Sequence, residues 1–198
     1  FLWSVNALNG IIRRSADGTA FAVVSTSGAT SPIIHALGTT LLVYRTPAPI
    51  HSAGTYWSSP DGTAWAQGTV NFTGTYTATS PAFGTHAGRL WAVSEVGGTG
   101  KVLSSTDGST WAEVQGNLAS PNISAAGRMA SFGGQLYAPF RDGTNAVIRA
   151  TIDGTTWNSQ GTAVVSTGGA LKLGVAGQSL VMYEVTANPP GQAPNYTT

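Results

Sequence analysis

The segment SPDGTAW at residues 59–65 recurs along this chain in slightly altered form. Successive copies are 44, 46 and 46 residues apart, and four of the five aspartates of the chain occupy the same slot in them. Self-similarity at a fixed period of this length is the signature of a repeat architecture. The four copies are SADGTAF (15–21), SPDGTAW (59–65), STDGSTW (105–111) and TIDGTTW (151–157).

The residues of this motif are those of a tight turn. An Asp that precedes Gly can accept hydrogen bonds from backbone amides two or three residues later. The Gly supplies the positive φ that such turns need, and the aromatic residue that closes the motif begins the next strand. We therefore predict that the four aspartates are structural, with no role in catalysis or metal binding. They are Asp17, Asp61, Asp107 and Asp153.

Each turn lies within a longer unit that contains four short strand-like runs. In the second unit these runs are PIIHALG, TTLLVYRT, TYWSS and AWAQG, and the third and fourth units have counterparts. Four short strands in about 46 residues match one blade of a β-propeller. We predict a single domain over residues 1–198. It would contain a partial unit (1–32), three units (33–80, 81–123 and 124–169) and a second partial unit (170–198).

The pattern S-x-D-G-x-T-W resembles the Asp-box, or BNR repeat, and the resemblance extends over the whole chain through four copies. It implies an all-β fold, namely a β-propeller of four to five blades or a fragment of a larger propeller, built from four-stranded antiparallel sheets with Asp-box turns. Proteins with this repeat include sialidases, other glycoside hydrolases, sortilin-type receptors, photosystem assembly factors, and phage tail or adhesin proteins. Because these activities are unrelated, the resemblance implies a fold and no single function.

Both ends of the sequence resemble the second strand of a unit. Residues 1–5 (FLWSV) align with RLWAV at 89–93, and residues 178–185 (QSLVMYEV) occupy the same place in the last unit. In a closed propeller the terminal strands complete one blade together, so we predict that these two segments do not share a regular blade. Three arrangements remain open: an excerpt of a longer propeller, a compact ring with irregular closure, and strand pairing between copies.

Low charge and the absence of cysteine exclude several classes of function. Charged residues make up 9% of the chain and the net charge is +1, so no basic stripe is available for nucleic acid. Without cysteine there can be no disulfide, Cys-ligated zinc or thiol nucleophile. No apolar run approaches the roughly 18 residues of a membrane span, and we predict no membrane insertion. A surface with few charges favours an extracellular, cell-surface or virion location.

The residues of a sialidase site are not recognisable. That family binds the substrate carboxylate with three arginines, and the F/Y-R-I-P motif that carries the first has no counterpart here. Other glycosidases need two carboxylates roughly 5 to 10 Å apart. Of the carboxylates outside the turns, Glu113 is predicted to be solvated, whereas Glu95, Asp142 and Glu184 lie near the ends of second strands and could share one propeller face. We predict no catalytic pair among them.

The histidines do not form a recognisable metal site. His35 and His86 lie in first strands, which line the central channel of a propeller, but no third ligand accompanies them. We therefore predict structural histidines and no metal or cofactor. Equivalent positions in second strands hold Trp3, Trp91 and Tyr137, which we interpret as packing residues between blades.

The best binding candidates break the repeat pattern. Trp57 stands where other third strands have arginine or leucine, and an aromatic face beside fixed polar groups is what sugar recognition requires. Tyr56 adjoins it, and a proline-rich loop at 46–55 follows Arg45 and contains His51. The predicted ligand-binding residues are Trp57, Tyr56, His51 and Arg45.

The function predicted from these features is a non-enzymatic module for recognition, adhesion or structure on an extracellular or virion surface. It would bind carbohydrate in the manner of a lectin. Its expected partner is a glycan or a surface protein, and it would act as a homo-oligomer or as part of a larger chain. The alternative is a glycoside hydrolase domain of sialidase type, or a fragment of one. A scaffold that binds protein through its propeller face is the third interpretation.

Overall fold

The computed structural model of the chain is all-β, as the sequence predicts. It describes residues 2–6, 10–26, 32–45, 54–72, 82–96, 99–118, 128–142, 144–166, 170–185 and 196–197. The strands in chain order are β1 (Leu2–Val5), β2 (Ile11–Ser15), β3 (Ala22–Thr26), β4 (Pro32–Leu37), β5 (Thr40–Arg45), β6 (Thr55–Ser59), β7 (Ala66–Thr69), β8 (Asn71–Phe72), β9 (Ala82–His86), β10 (Arg89–Val96), β11 (Thr99–Ser105), β12 (Thr110–Leu118), β13 (Ala130–Phe132), β14 (Gln135–Asp142), β15 (Asn145–Thr151), β16 (Asn158–Val165), β17 (Ala170–Ala176), β18 (Ser179–Val185) and β19 (Tyr196–Thr197).

The strands fall in two compact units. The first unit comprises Phe1–Thr77 and Ser105–Trp111, and the second comprises Ala78–Ser104 and Ala112–Thr198. In both units, strands that follow one another along the chain pair side by side and antiparallel, as in the blades of a propeller. The predicted repeat boundaries at 80–81 and 123–124 lie outside the described residues.

The first unit contains two antiparallel sheets, with strand orders β1-β2-β3 and β4-β5-β6-β7. The short strand β8 pairs in parallel with the first residues of β12, Thr110 and Trp111. Tyr44 and Trp111 are both fully buried, and their rings meet edge to face with centroids 6.1 Å apart. The Tyr44 hydroxyl donates a hydrogen bond of 2.6 Å to the Gly108 carbonyl. Residues 105–111 therefore belong to the core of this unit.

The second unit contains the ladder β9-β10-β11-β12 and the sheets β13-β14-β15-β16 and β17-β18-β19. Every second residue of β14 from Leu136 onwards, namely Leu136, Ala138 and Phe140, is fully buried and faces the core. They form one cluster with Trp91 and Val102. Burial of this cluster stabilises the packing of the neighbouring sheets.

The two second-strand segments at the ends of the sequence lie in different sheets. Strand β1 pairs with β2, whereas β18 pairs with β17 and β19. The prediction that they do not share one blade is confirmed.

Candidate functional site

The repeated motifs form four hydrogen-bonded turns, which we call the Asp-Gly turns (residues 15–21, 59–65, 105–111 and 151–157). In the second turn, Asp61 Oδ1 accepts hydrogen bonds from the amides of Thr63 at 2.7 Å and Ala64 at 3.0 Å. The Ser59 hydroxyl donates to the same oxygen at 3.1 Å and accepts from the Gly62 amide at 2.7 Å. One carboxylate and one hydroxyl thus satisfy the backbone of the whole turn.

The other three turns use the same atoms. Each aspartate accepts an amide hydrogen bond from the residue two positions later and a hydroxyl hydrogen bond from the residue two positions earlier. Each hydroxyl also accepts from the amide of the turn glycine. These carboxylates bond to their own backbone, as the sequence predicts.

The hydrogen bonds lower the pKa of the turn aspartates. Amide and hydroxyl bonds, above all from Thr19, lower the pKa of Asp17 from 3.8 to about 2. Partial burial raises the pKa of Asp107, but hydrogen bonds from the amides of Thr110 and Ser109 lower it by more. The net pKa of Asp107 is also about 2. The pKa values of Asp61 and Asp153 are likewise held well below the ordinary value by the amides that bond to them. All four groups are ionised at neutral pH.

Acid is expected to destabilise the fold through these aspartates. Because each pKa is lower in the folded chain than in the unfolded chain, ionisation favours folding above pH 3.8, and this contribution is lost as the pH falls towards about 2. Urea unfolding at about pH 6 and about pH 3 should show the loss, and Asp107→Asn should reduce it. At neutral pH, Asp107→Ala should cost about 1–2 kcal/mol. Glu113→Gln, at an exposed residue outside the turns, is the matched control. An unchanged acid dependence in Asp107→Asn would contradict this account.

A tryptophan closes three of the turns with a further hydrogen bond. The indole N–H of Trp157 donates to the Gly154 carbonyl at 3.0 Å, and Trp65 and Trp111 bond in the same way to their own turn glycines. The first turn has Phe21 in this slot, which has no N–H group to donate. The indole bond was not predicted from the sequence, although the recurrence of tryptophan was its signal.

Each of the last three turn glycines packs against a side chain from the preceding sheet, in β1, β5 or β10. A Cβ atom on Gly62 would overlap the ring of Trp3, and one on Gly154 would overlap the ring of Trp91. A Cβ atom on Gly108 would lie 2.5 Å from Leu42. The interpretation of Trp3 and Trp91 as packing residues between blades is confirmed by these contacts.

Glu184 differs from the turn aspartates, because it is a buried carboxylate that serves no turn. It lies near the end of β18, is 7% exposed, and accepts a hydrogen bond of 2.7 Å from the Ser166 hydroxyl. Ser166 follows β16 of the neighbouring sheet in the second unit. The sequence placed Glu184 near the end of a second strand, but nothing in it indicated that Ser166 would be its hydrogen-bond partner.

Glu95 and Asp142 occupy comparable positions, near the ends of the second strands β10 and β14. Their side chains lie outside the described residues. The remaining glutamate, Glu113, forms a surface ion pair in which its Oε1 lies 3.2 Å from Lys101 Nζ. The second unit therefore places three acidic residues at second-strand ends, and Glu184 is the one whose side chain is described.

The predicted ligand-binding residues are placed as follows. Trp57 is half-buried in β6, opposite Val43 of β5. Tyr56 is its neighbour in the strand and therefore faces the other side of the sheet, where its ring covers Gly68. The side chain of Arg45 and the whole of His51 lie outside the described residues. Trp57 and Tyr56 do not form one continuous platform.

His86 links two sheets of the second unit. It is 8% exposed, and its Nδ1 lies 2.9 Å from the Ser131 hydroxyl of β13. This hydrogen bond agrees with the predicted structural role. Within the described part of the chain no three His, Asp or Glu side chains are grouped to hold a metal ion. The same residues contain no helix long and apolar enough to cross a membrane.

Solved structures with this fold include glycoside hydrolases. An α-L-arabinofuranosidase (CtGH43) from Clostridium thermocellum has a TM-score of 0.55 and 15% identity, over 83% of this chain and 66% of the enzyme. The xyloglucan-locus protein GH43B of Bacteroides ovatus has a TM-score of 0.58 and 13% identity, over 88% of this chain and 43% of that one. A family 117 glycoside hydrolase (Zg3597) of Zobellia galactanivorans has a TM-score of 0.53 and 14% identity, over 81% of this chain and 57% of that enzyme.

These similarities confirm the β-propeller fold class. The chain spans less than two thirds of the length of each of these neighbours. No protein-family model matches the sequence, and no curated protein matches it.

The similarities also correct one prediction. The expectation of a non-enzymatic protein was wrong by this comparison, because the solved structures named above are glycoside hydrolases. That expectation gave too much weight to the missing sialidase arginines. Glycoside hydrolysis needs two suitably placed carboxyl groups and does not depend on an arginine triad.

Proposed function

We propose that this chain is the propeller, or part of the propeller, of a glycoside hydrolase that binds a glycan and cleaves it with carboxyl groups at the second-strand ends. The observation that carries the proposal is Glu184, a carboxylate that is buried and held by the Ser166 hydroxyl. The glycoside hydrolases among the structural neighbours support the same class of activity.

Glu184 is suited to catalysis because its orientation is fixed. The hydrogen bond from Ser166 engages Oε1, which limits rotation of the carboxyl group. A positioned carboxyl group can protonate the leaving oxygen of a glycosidic bond, or act as base or nucleophile. The turn aspartates cannot take this role, since their carboxylates bond to their own backbone amides.

A second carboxylate is required, and Asp142 and Glu95 are the candidates. Asp142 ends β14, and Glu95 lies one residue before the end of β10, so both stand at the same level of their sheets as Glu184 does in β18. We assign the second catalytic carboxylate to one of these two residues. The separation of the two carboxyl groups would decide whether the reaction retains or inverts the anomeric configuration.

The test is a hydrolysis assay on the purified chain. Aryl α-L-arabinofuranosides, aryl β-D-xylosides and xyloglucan oligosaccharides are the substrates, chosen from the names of the structural neighbours. Glu184→Gln keeps the shape of the side chain and removes its acid–base chemistry, so kcat should fall about 100-fold or more. Asp142→Asn and Glu95→Gln should differ in their effect on kcat: one of them should lower kcat as much as Glu184→Gln does.

Glu113→Gln is the matched control, because it makes the same substitution at an exposed residue paired with Lys101. It should leave kcat unchanged. Full activity in Glu184→Gln, or no turnover of any of these substrates by the wild-type chain, would contradict the proposal.

Trp57 remains a proposed glycan contact outside the catalytic carboxylates. Loss of one aromatic contact costs about 1–3 kcal/mol, so Trp57→Ala should weaken glycan binding several-fold or more in a calorimetric titration. Arg45, His51 and Tyr56 stay with it in this proposal, although the ring of Tyr56 also covers Gly68. An extracellular, cell-surface or virion location is proposed as well, on the basis of the low charge of the sequence.

A further inference from the structure

Two cationic residues of the second unit are joined by an isolated parallel β-bridge: Arg128, which precedes β13, and Lys172 of β17. Arg128 bridges in parallel to Phe83 on one side and to Lys172 on the other. The backbone bonds are short: the Met129 amide donates to the Phe83 carbonyl at 2.7 Å, and the Leu173 amide donates to the Arg128 carbonyl at 2.9 Å. Adjacent strands are about 4.8 Å apart, and paired residues of a parallel ladder share a face. Arg128 and Lys172 are therefore close lateral neighbours.

This juxtaposition is unfavourable without an anion. Like charges on directly paired residues destabilise a sheet. Two neighbouring cations are also unusual in a chain that has nine lysines and arginines in total. Arg128 is exposed and Lys172 is half-buried. Neither forms an ion pair with a carboxylate in the part of the chain that the structure describes. The backbone pairing thus holds two positive charges together where a negatively charged ligand could meet both.

An aromatic residue completes the arrangement. Lys172 of β17 pairs with Tyr183 of β18, so both side chains emerge on the same face of the sheet. Tyr183 is half-buried. Leu171 pairs with Glu184, and strand alternation directs these two residues to the opposite face. The Glu184 carboxylate is therefore not positioned to neutralise Lys172.

We propose that Arg128, Lys172 and Tyr183 bind an acidic sugar. The guanidinium and ammonium groups would bind its carboxylate or sulfate, and the phenol ring would pack against the C–H face of the pyranose. This site is separate from the proposed catalytic carboxylates, and it rests on the proposed function for the choice of a glycan as its ligand.

The test is calorimetric titration of the chain with three trisaccharides: one of galacturonic acid, one of neutral galactose and one of sulfated galactose. The acidic sugars should bind at least about tenfold more tightly than the neutral one. Their affinity should fall as salt rises from about 50 mM to about 500 mM, because screening shortens the range of the attraction. A preference for the uronate or for the sulfate identifies which anion the site accepts.

Arg128→Ala and Lys172→Ala should each weaken binding of the acidic sugar about tenfold, and Arg128→Lys should lose less. Lys101→Ala is the control, because Lys101 is a lysine already paired with Glu113 on the surface. Equal binding of neutral and acidic sugars, an unchanged affinity in Arg128→Ala, or an equal loss in Lys101→Ala would each overturn the site. Thermal unfolding of each variant separates loss of binding from loss of fold.

Failure of this site is distinguishable from failure of the proposed hydrolase. Glu184→Gln should bind the acidic trisaccharide as the wild-type chain does, since Glu184 faces the other side of the sheet. Conversely, turnover of neutral substrates by the wild-type chain tests the hydrolase independently of acidic-sugar binding. A loss of acidic-sugar binding in Glu184→Gln equal to that in Arg128→Ala would overturn the two-site assignment.

Discussion

Replacement of Gly154 by alanine is expected to lower the free energy of unfolding by about 3–5 kcal/mol. Two costs combine at this residue. Its φ is +80°, a conformation that side chains with a Cβ rarely adopt. The new methyl group would also overlap the ring of Trp91, which is 4% exposed and belongs to the core cluster of the second unit. Urea unfolding followed by tryptophan fluorescence measures the change.

Gly177→Ala is the matched control for this variant. Gly177 also has a positive φ, +59°, but a Cβ atom added there would meet nothing within 4 Å. Its replacement should cost about 1–2 kcal/mol, which is the backbone term alone. If Gly154→Ala lowered the free energy of unfolding no more than Gly177→Ala does, the close packing of Gly154 against Trp91 would not contribute to the stability of the unit. In a Trp91→Leu background the difference between the two variants should shrink.

Truncation of Trp111 to alanine is expected to cost about 3–5 kcal/mol. The side chain is fully buried, its ring meets Tyr44 edge to face, and its indole N–H donates to the Gly108 carbonyl at 3.3 Å. Trp111→Phe keeps an aromatic ring but removes the donor, so it should cost about 1–2 kcal/mol. The same unfolding measurement applies to both variants.

Phe21→Ala provides the comparison, because Phe21 fills the same slot of the first Asp-Gly turn. Phe21 is 39% exposed, and its truncation should cost less than about 1 kcal/mol. The large difference expected between two equivalent residues tests whether burial, rather than the repeat motif, sets the energy. Similar costs at the two sites would contradict this explanation.

The local structure of this chain follows from its sequence because the information is local. An Asp-Gly pair flanked by a hydroxyl and an aromatic residue encodes a turn through bonds that span two or three residues. A short apolar run such as that of β14, bounded by turn residues, encodes a buried strand. The period of the four turns then predicts the order of the strands and the propeller class. For the same reason the sequence could assign the four turn aspartates a structural role.

The candidate sites depend on contacts between residues far apart in the sequence, and tertiary structure alone decides them. Ser166 reaches Glu184 because two neighbouring sheets bring their ends together. Arg128 adjoins Lys172 through an isolated parallel bridge between residues 44 positions apart in the sequence. Neither pair has a local pattern, since each side chain is ordinary in its own strand. The burial of Glu184 and its hydrogen bond from Ser166 arise only when the sheets pack, so the sequence by itself could not indicate them.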